Sequence, residues 1–165
     1  MKKKLWLLII PFLLLACSMG NTPTSKVDEL FMKYQRLDSD ISNGIDSVLD
    51  EQNLTDDHRT RYHKLLENQY RNLSYNVKDE IIDGDNATVV TEIEVIDYRN
   101  SISDLTFDST IFTKDSFDEL KLDRLEQAKD KVTYTIELNL TKDDEGKWKL
   151  NALTNEQIKK IQGMY

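Results

Sequence analysis

His58 and His63 are the only two imidazoles in the chain, and a histidine pair is the first place to look for a metal centre. Placed five residues apart on one helix, they differ by about 140° and cannot turn both rings to one ion as an i, i+4 pair does. His58 follows Asp56 and Asp57, which at a helix start complement the helix dipole. The expectation is two exposed helix-surface histidines and no metal. Asp38-Ser39-Asp40-Ile41-Ser42-Asn43-Gly44 has the look of a calcium loop, but glycine falls at position 7 where the turn needs it at 6. Position 12 is Leu49 where a bidentate glutamate belongs. No Gly-rich phosphate loop and no G-x-S-x-G elbow occurs, so no cofactor is expected. Asp97 is the one position with enzymatic possibility. Counted by twos from Val89, its carboxylate shares a face with Ile93 and Val95, where desolvation would raise its pKa and suit it to proton abstraction. The alternative is that the strand leaves the core there and Asp97 is wet. Tyr34, Tyr62, Tyr70, Tyr75, Tyr134 and Trp148 fall at inward-facing positions, as core or, with Asp97, as the lining of a pocket.

The remaining reactive side chain is Cys17, the single cysteine, which excludes an intramolecular disulfide. Before it stand a basic start, Met1 to Lys4, and an apolar run from Leu5 to Ala16 interrupted by Pro11. A membrane span needs roughly 20 apolar residues, so this run is too short to be one. Its length and flanks fit a secretory signal peptide over 1–16. The close of the run, Leu14-Leu15-Ala16-Cys17, resembles the lipobox of bacterial lipoproteins. That resemblance implies a diacylglycerol thioether on Cys17, with palmitate-type chains anchoring the protein on the extracytoplasmic face of the cell membrane; two acyl chains hold where one is marginal. Leu15 is bulkier than the residue usual before the alanine. Residues 17–24 are polar and aperiodic and read as a lipidated tether.

These elements stand in an acidic chain of 165 residues, with 22 Lys+Arg against 30 Asp+Glu and a net charge of −8. Three of the lysines precede Cys17, so the rest carries 19 basic and 30 acidic residues, a net −11. An acidic body with no basic stripe argues against nucleic acid.

Residues 25–165 have the length of a single domain. Ser25 to Asp28 reads as a capping box, and Val27, Leu30, Phe31, Tyr34 and Leu37 recur at helical spacing. Ile41, Ile45, Val48 and Leu49 make a second helical stripe. Thr55 opens a third helix with Tyr62, Leu65, Leu66, Tyr70 and Leu73 buried. From Ser74 the period changes to two. Tyr75, Val77 and Ile81 start a strand that Asp79 interrupts. Asp83-Gly84-Asp85-Asn86 turns the chain, and a long strand runs from Ala87 to Tyr98. Residues 100–113 are ambiguous between helix and lid. Ser116 with Glu119 caps a helix reaching about Lys129, and Val132, Tyr134, Ile136, Leu138 and Leu140 alternate as a third strand. Trp148, Leu150 and Ala152 form the inner face of a fourth, and Thr154 with Gln157 caps a last helix. The fold class is α+β, with N-terminal helices packed on a curved antiparallel sheet of about four strands.

In Val27-Asp28-Glu29-Leu30-Phe31, Gly84-Asp85-Asn86-Ala87-Thr88-Val89-Val90 and Glu145-Gly146-Lys147-Trp148-Lys149-Leu150, together with the lipobox, the chain resembles the NTF2-like (cystatin-like) lipoproteins of Gram-positive bacteria. The resemblance implies a cone-like fold able to enclose a pocket. Its members include both enzymes and binding modules, so fold leaves function open. The expected function is a non-catalytic binding module, not an enzyme, for an apolar small ligand or an envelope protein partner. Two rivals stand beside it: an isomerase- or hydrolase-type enzyme using Asp97 with a tyrosine hydroxyl, and a structural or immunity-type surface protein without a pocket.

Overall fold

The computed structural model describes residues 20–165. The proposed leader and Cys17 lie outside the described residues. Among those described, no helix is long and apolar enough to cross a membrane.

Helix α1 (Pro23–Arg36) starts one turn before the expected box. Thr22 is the N-cap, accepting from Ser25 N at 3.0 Å, and Ser25 Oγ accepts from Thr22 N in return at 3.0 Å. Two overlapping boxes were available here, and Pro23 decides between them, because its fixed φ and missing N–H suit the first helical position. Residues 22–24, read as tether, are therefore the cap and first turn. Trp148 N donates to Asn21 Oδ1 at 2.9 Å, so the chain is held to the sheet from residue 21 onward. Helix α1 buries Val27, Phe31 and Tyr34, and α2 (Ser39–Asp50) buries Ile45 and Leu49. The calcium-like stretch is helical from Ser39 and forms no loop. Helix α3 (Asp56–Asn72) is capped by Thr55 and ends at Leu73.

The sheet is an open antiparallel meander in the order β1-β2-β3-β4, built from β1 (Ser74–Asp83), β2 (Asn86–Ile96), β3 (Lys131–Lys142) and β4 (Trp148–Leu150). The register pairs Val89 with Leu138, Thr91 with Ile136 and Ile93 with Tyr134, and the odd positions of β2 lie under the helices. The opposite face is polar, with Lys131–Glu94 (2.7 Å) and Lys78–Glu92 (2.5 Å) bridging neighbouring strands. A β-bulge between Val77 and Asp79 is the reason the alternation in β1 is imperfect. Beyond it Ile81 and Ile82 are both exposed.

Strand β2 stops at Ile96, two residues short of the expected end, because Asp97 becomes the N-cap of a single helical turn, α4 (Tyr98–Ser101). Residues 102–113 follow as turns, with Phe107 and Phe112 packed edge-on or tilted against Phe117. Helix α5 (Lys114–Gln127) is capped by Thr113 with Ser116 as its reciprocal partner, again one turn before the expected Ser116–Glu119 box. Helix α6 (Asn155–Ile161) has the expected Thr154–Gln157 box. Ala152 is exposed, and Leu153 packs on the core in its place.

Among the described residues, the core cluster runs from Val27 to Ile161.

Candidate functional site

Among the described residues, the expected aromatics do not together line the groove that the helices form. This open groove of about 750 Å³ lies on the helical side, among α2, α3, α4, α5 and α6. Each element reaches it for a local reason. Helix α3 uses its apolar stripe twice: Tyr70 and Leu73 go to the core, while half-buried Tyr62, Leu65 and Leu66 form the groove floor. The end of α2 contributes Val48 and Leu49, and α5 contributes Leu125. The turn at Tyr98–Ile102 brings Tyr98 and Ile102 against them. Helix α6 and the tail after it close the remaining side with Gln162, Met164 and Tyr165.

Two of the polar groups at the floor are already engaged. Tyr98 Oη donates to Leu65 O at 3.2 Å, and Gln162 Nε2 donates to Tyr70 Oη at 3.4 Å. Burial raises the Tyr98 phenol above its ordinary range. Burial also lifts the Tyr62 phenol, to about 12, with the negative charge of Asp118 adding to the effect and Arg61 opposing it. Both phenols stay protonated and neutral at physiological pH.

Of the residues expected to line a pocket, Tyr62 lines this groove, and Tyr75 lines a separate, smaller depression of about 210 Å³ on the sheet. Tyr34 and Tyr70 form an edge-to-face pair at 4.8 Å inside the core, and burial pushes both phenols up. Tyr75 stacks on Phe31 at 4.6 Å. Tyr134 Oη donates to Tyr165 O at 3.2 Å, and the two rings meet edge-on at 5.7 Å. Trp148 is buried with Lys142 Nζ 4.8 Å from its ring centre. Asp97 is outside the groove. Its carboxylate accepts from Asn100 N at 2.9 Å, so the strand leaves the core at Asp97 and its side chain is a helix cap.

His58 corrects the sequence expectation more sharply. It is buried, and its Nε2–H donates to Glu119 Oε2 at 2.9 Å, so the histidine joins α3 to α5 and is not a surface residue. His63 is half-buried, 3.6 Å from Asp46 and 3.8 Å from Glu67. Arg61, one turn after His58, reaches the same helix. Its guanidinium donates to Glu119, Asp123 (2.8 Å) and both oxygens of Glu126 (2.8 and 2.9 Å). Asp57, His58 and Glu119 have the mutual spacing of metal ligands. Arg61 Nη1 already faces both carboxylates, at 2.5 Å from Glu119 and 4.0 Å from Asp57, so a fixed cation stands where an ion would go. Glu119, free because Thr113 does the capping, is thus the centre of the α3–α5 contact.

That contact has a pH dependence of fixed sign. Hydrogen bonds from Arg61, then from His58, hold the Glu119 carboxyl below its usual 4.5, and hydrogen bonds from Arg61 do the same for Glu126. Folded-state values below the unfolded value mean a contribution that is complete above about pH 4.5 and disappears as pH falls through the folded values. Urea unfolding midpoints measured from pH 7 to pH 3 should fall more steeply in the wild type than in Arg61→Gln, which keeps only the smaller His58 part of that linkage. Parallel curves would mean that the network contributes nothing in water.

No protein-family model matches the chain, and no curated protein matches it. Among solved structures it is similar to a putative lipoprotein (ycdA) from Bacillus subtilis subsp. subtilis str. 168, at 14% sequence identity and a TM-score of 0.41. The likeness covers 78% of this chain and 46% of that one, so the chain spans less than half the length of this neighbour.

Proposed function

We propose that the protein is a lipid-anchored, extracytoplasmic lipoprotein whose NTF2-like domain binds an apolar ligand in the groove and does no chemistry on it. The observation that carries this reading is the apolar floor made by Val48, Tyr62, Leu65, Leu66, Ile102 and Leu125 in an open groove of about 750 Å³. Small-molecule sites occupy roughly 300–1,000 Å³ and are apolar with a few polar groups at the edge. Among the described residues no histidine or aspartate lines it, and its one side-chain carboxylate, Glu156, pairs with Lys160 at 2.7 Å. Asp97 caps α4 outside the groove, which supports binding over proton transfer by that residue.

Val48 is exposed and borders the groove, so Val48→Trp fills the mouth without entering the core. With residues 20–165 and the neutral fluorophore N-phenyl-1-naphthylamine, this substitution is expected to weaken binding about tenfold, a change of about 1.4 kcal/mol. Its thermal unfolding midpoint should stay at the wild-type value. Unchanged affinity would remove the groove from the function. Asp97→Asn should leave the same titration unaltered. The anchor is tested separately: Cys17→Ala is expected to leave the precursor uncleaved and unlabelled by radioactive palmitate, and persistent label would overturn it.

One observation favours a second reading, in which a protein partner docks on the turns before α5. Phe107 is 48% exposed and Ile111 71% exposed there, a cost that a covered surface would offset. Ile111→Asp should abolish such docking and leave fluorophore binding intact.

A further inference from the structure

The rim of the groove differs in charge from the rest of the molecule. In a chain of net charge −8, the charged side chains lining it are Arg99, Lys121 and Lys159 against the single Glu156, which Lys160 already neutralises. Among the described residues no carboxylate pairs with Arg99 or Lys159, and Lys121 has only Asp118, at 3.9 Å. The tail after α6 ties the backbones of two of these residues together. Arg99 N donates to Gly163 O at 2.8 Å, and the next residue, Met164, donates its N–H to Lys159 O at 2.9 Å. Arg99 and Lys159, both lining the groove, therefore flank one short stretch of backbone.

The floor itself offers a ligand little that is polar, since Tyr98 Oη is spent on Leu65 O and Gln162 Nε2 on Tyr70 Oη, which leaves the Tyr62 phenol as its main polar contact. The occupant that suits this lining has a largely apolar body and one anionic end. Charge complementarity at such an edge is effective because the apolar wall keeps water from one side of the pair. We infer that the groove takes a single-chain anionic amphiphile, its acyl chain on Leu65, Leu66 and Ile102 and its carboxylate or phosphate head at Arg99 and Lys159. This rests on the groove being the binding site proposed above.

The test uses the full chain in isolated membranes, which avoids detergent as a competitor. Three probes carrying the same diazirine in a sixteen-carbon chain are compared: the fatty acid, the corresponding alcohol, and a lysophosphatidylglycerol. Photolabelled peptides are then mapped by mass spectrometry. The expected result is labelling of α3 and the 98–102 turn by one or both anionic probes, about fivefold above the alcohol. Which of the two labels more strongly identifies the head as carboxylate or phosphodiester. Arg99→Gln with Lys159→Gln should abolish that preference and leave the alcohol's labelling as it was. Equal labelling of the groove by acid, lipid and alcohol would overturn the anionic head while leaving an apolar site in place. Absence of label from groove peptides with all three probes would overturn both readings together.

Discussion

Gly163→Ala is expected to destabilise the domain by about 4 kcal/mol and to lower its thermal midpoint by roughly 10 °C. The residue has φ +70°, a left-handed conformation in which a side chain costs about 1 kcal/mol. The larger part of the effect is spatial. A Cβ at position 163 would fall far inside van der Waals distance of Ile96 O and Gln69 Nε2, one a backbone carbonyl with nowhere to move and the other held by its own hydrogen bonds. The comparison that isolates the cause is Gly84→Ala. Gly84 has a similar φ of +60° at the tip of the β1–β2 hairpin and nothing within 4 Å of the added methyl, so it should lose only the conformational part. Equal losses at the two positions in calorimetry would show that close packing at Gly163 is not what matters there. Because Gly163 O accepts from Arg99 N, the tail displaced by an alanine would also carry the groove's cationic edge out of place.

Gln69→Leu is expected to cost about 3 kcal/mol although it exchanges one side chain for another of similar size. Gln69 is fully buried. Its Nε2 donates to Ile96 O at 2.9 Å, and its Oε1 accepts from Ile96 N at 2.9 Å. Strand β1 begins at Ser74 opposite Glu94, so the ladder has no backbone partner left for Ile96 on that side. The glutamine amide takes the place of the missing strand residue. Leucine would keep the volume and leave a buried N–H and C=O without partners, each a penalty of about 1–3 kcal/mol that local rearrangement relieves in part. Hydrogen exchange at the Ile96 amide gives a sharper readout than stability alone. Its protection should fall to that of a locally opened strand end, and unaltered protection would mean that another acceptor replaces the glutamine. The two sites are coupled through the Gln69 amide, so a double mutant should lose less than the two single losses taken together.

Gln69 and His58 also mark how far periodicity carries. The apolar stripe Tyr62, Leu65, Leu66, Tyr70 and Leu73 is visible in the sequence, and positions 58 and 69 extend it at the same spacing. A polar residue on a buried stripe signals a buried hydrogen bond, but the signal is silent about the partner. Those partners, Glu119 and Ile96, come from elements 61 and 27 residues away. Capping is a different case. Both misplaced boxes lay one turn too late because Ser25 and Ser116 can either cap a helix or complete a cap three residues before them. At the first helix Pro23 settled the choice; at α5 the later box would have taken Glu119 away from Arg61.

By itself the sequence determined the α+β order, the three leading helices, the inward face of β2 and β3, and the lipobox-like start. All of these are written in short-range pattern, since a helix or strand face repeats every few residues and a turn needs its glycine locally. Only the tertiary structure decided that the expected aromatics go to the core, that Asp97 caps a helix, and that a groove with a cationic rim lies among the helices. The physical reason is distance along the chain: the groove draws on segments from Val48 to Tyr165. Its charge emerges when Arg99, Lys121 and Lys159, unremarkable in an acidic sequence, are carried to one edge by the packing of α4, α5 and α6.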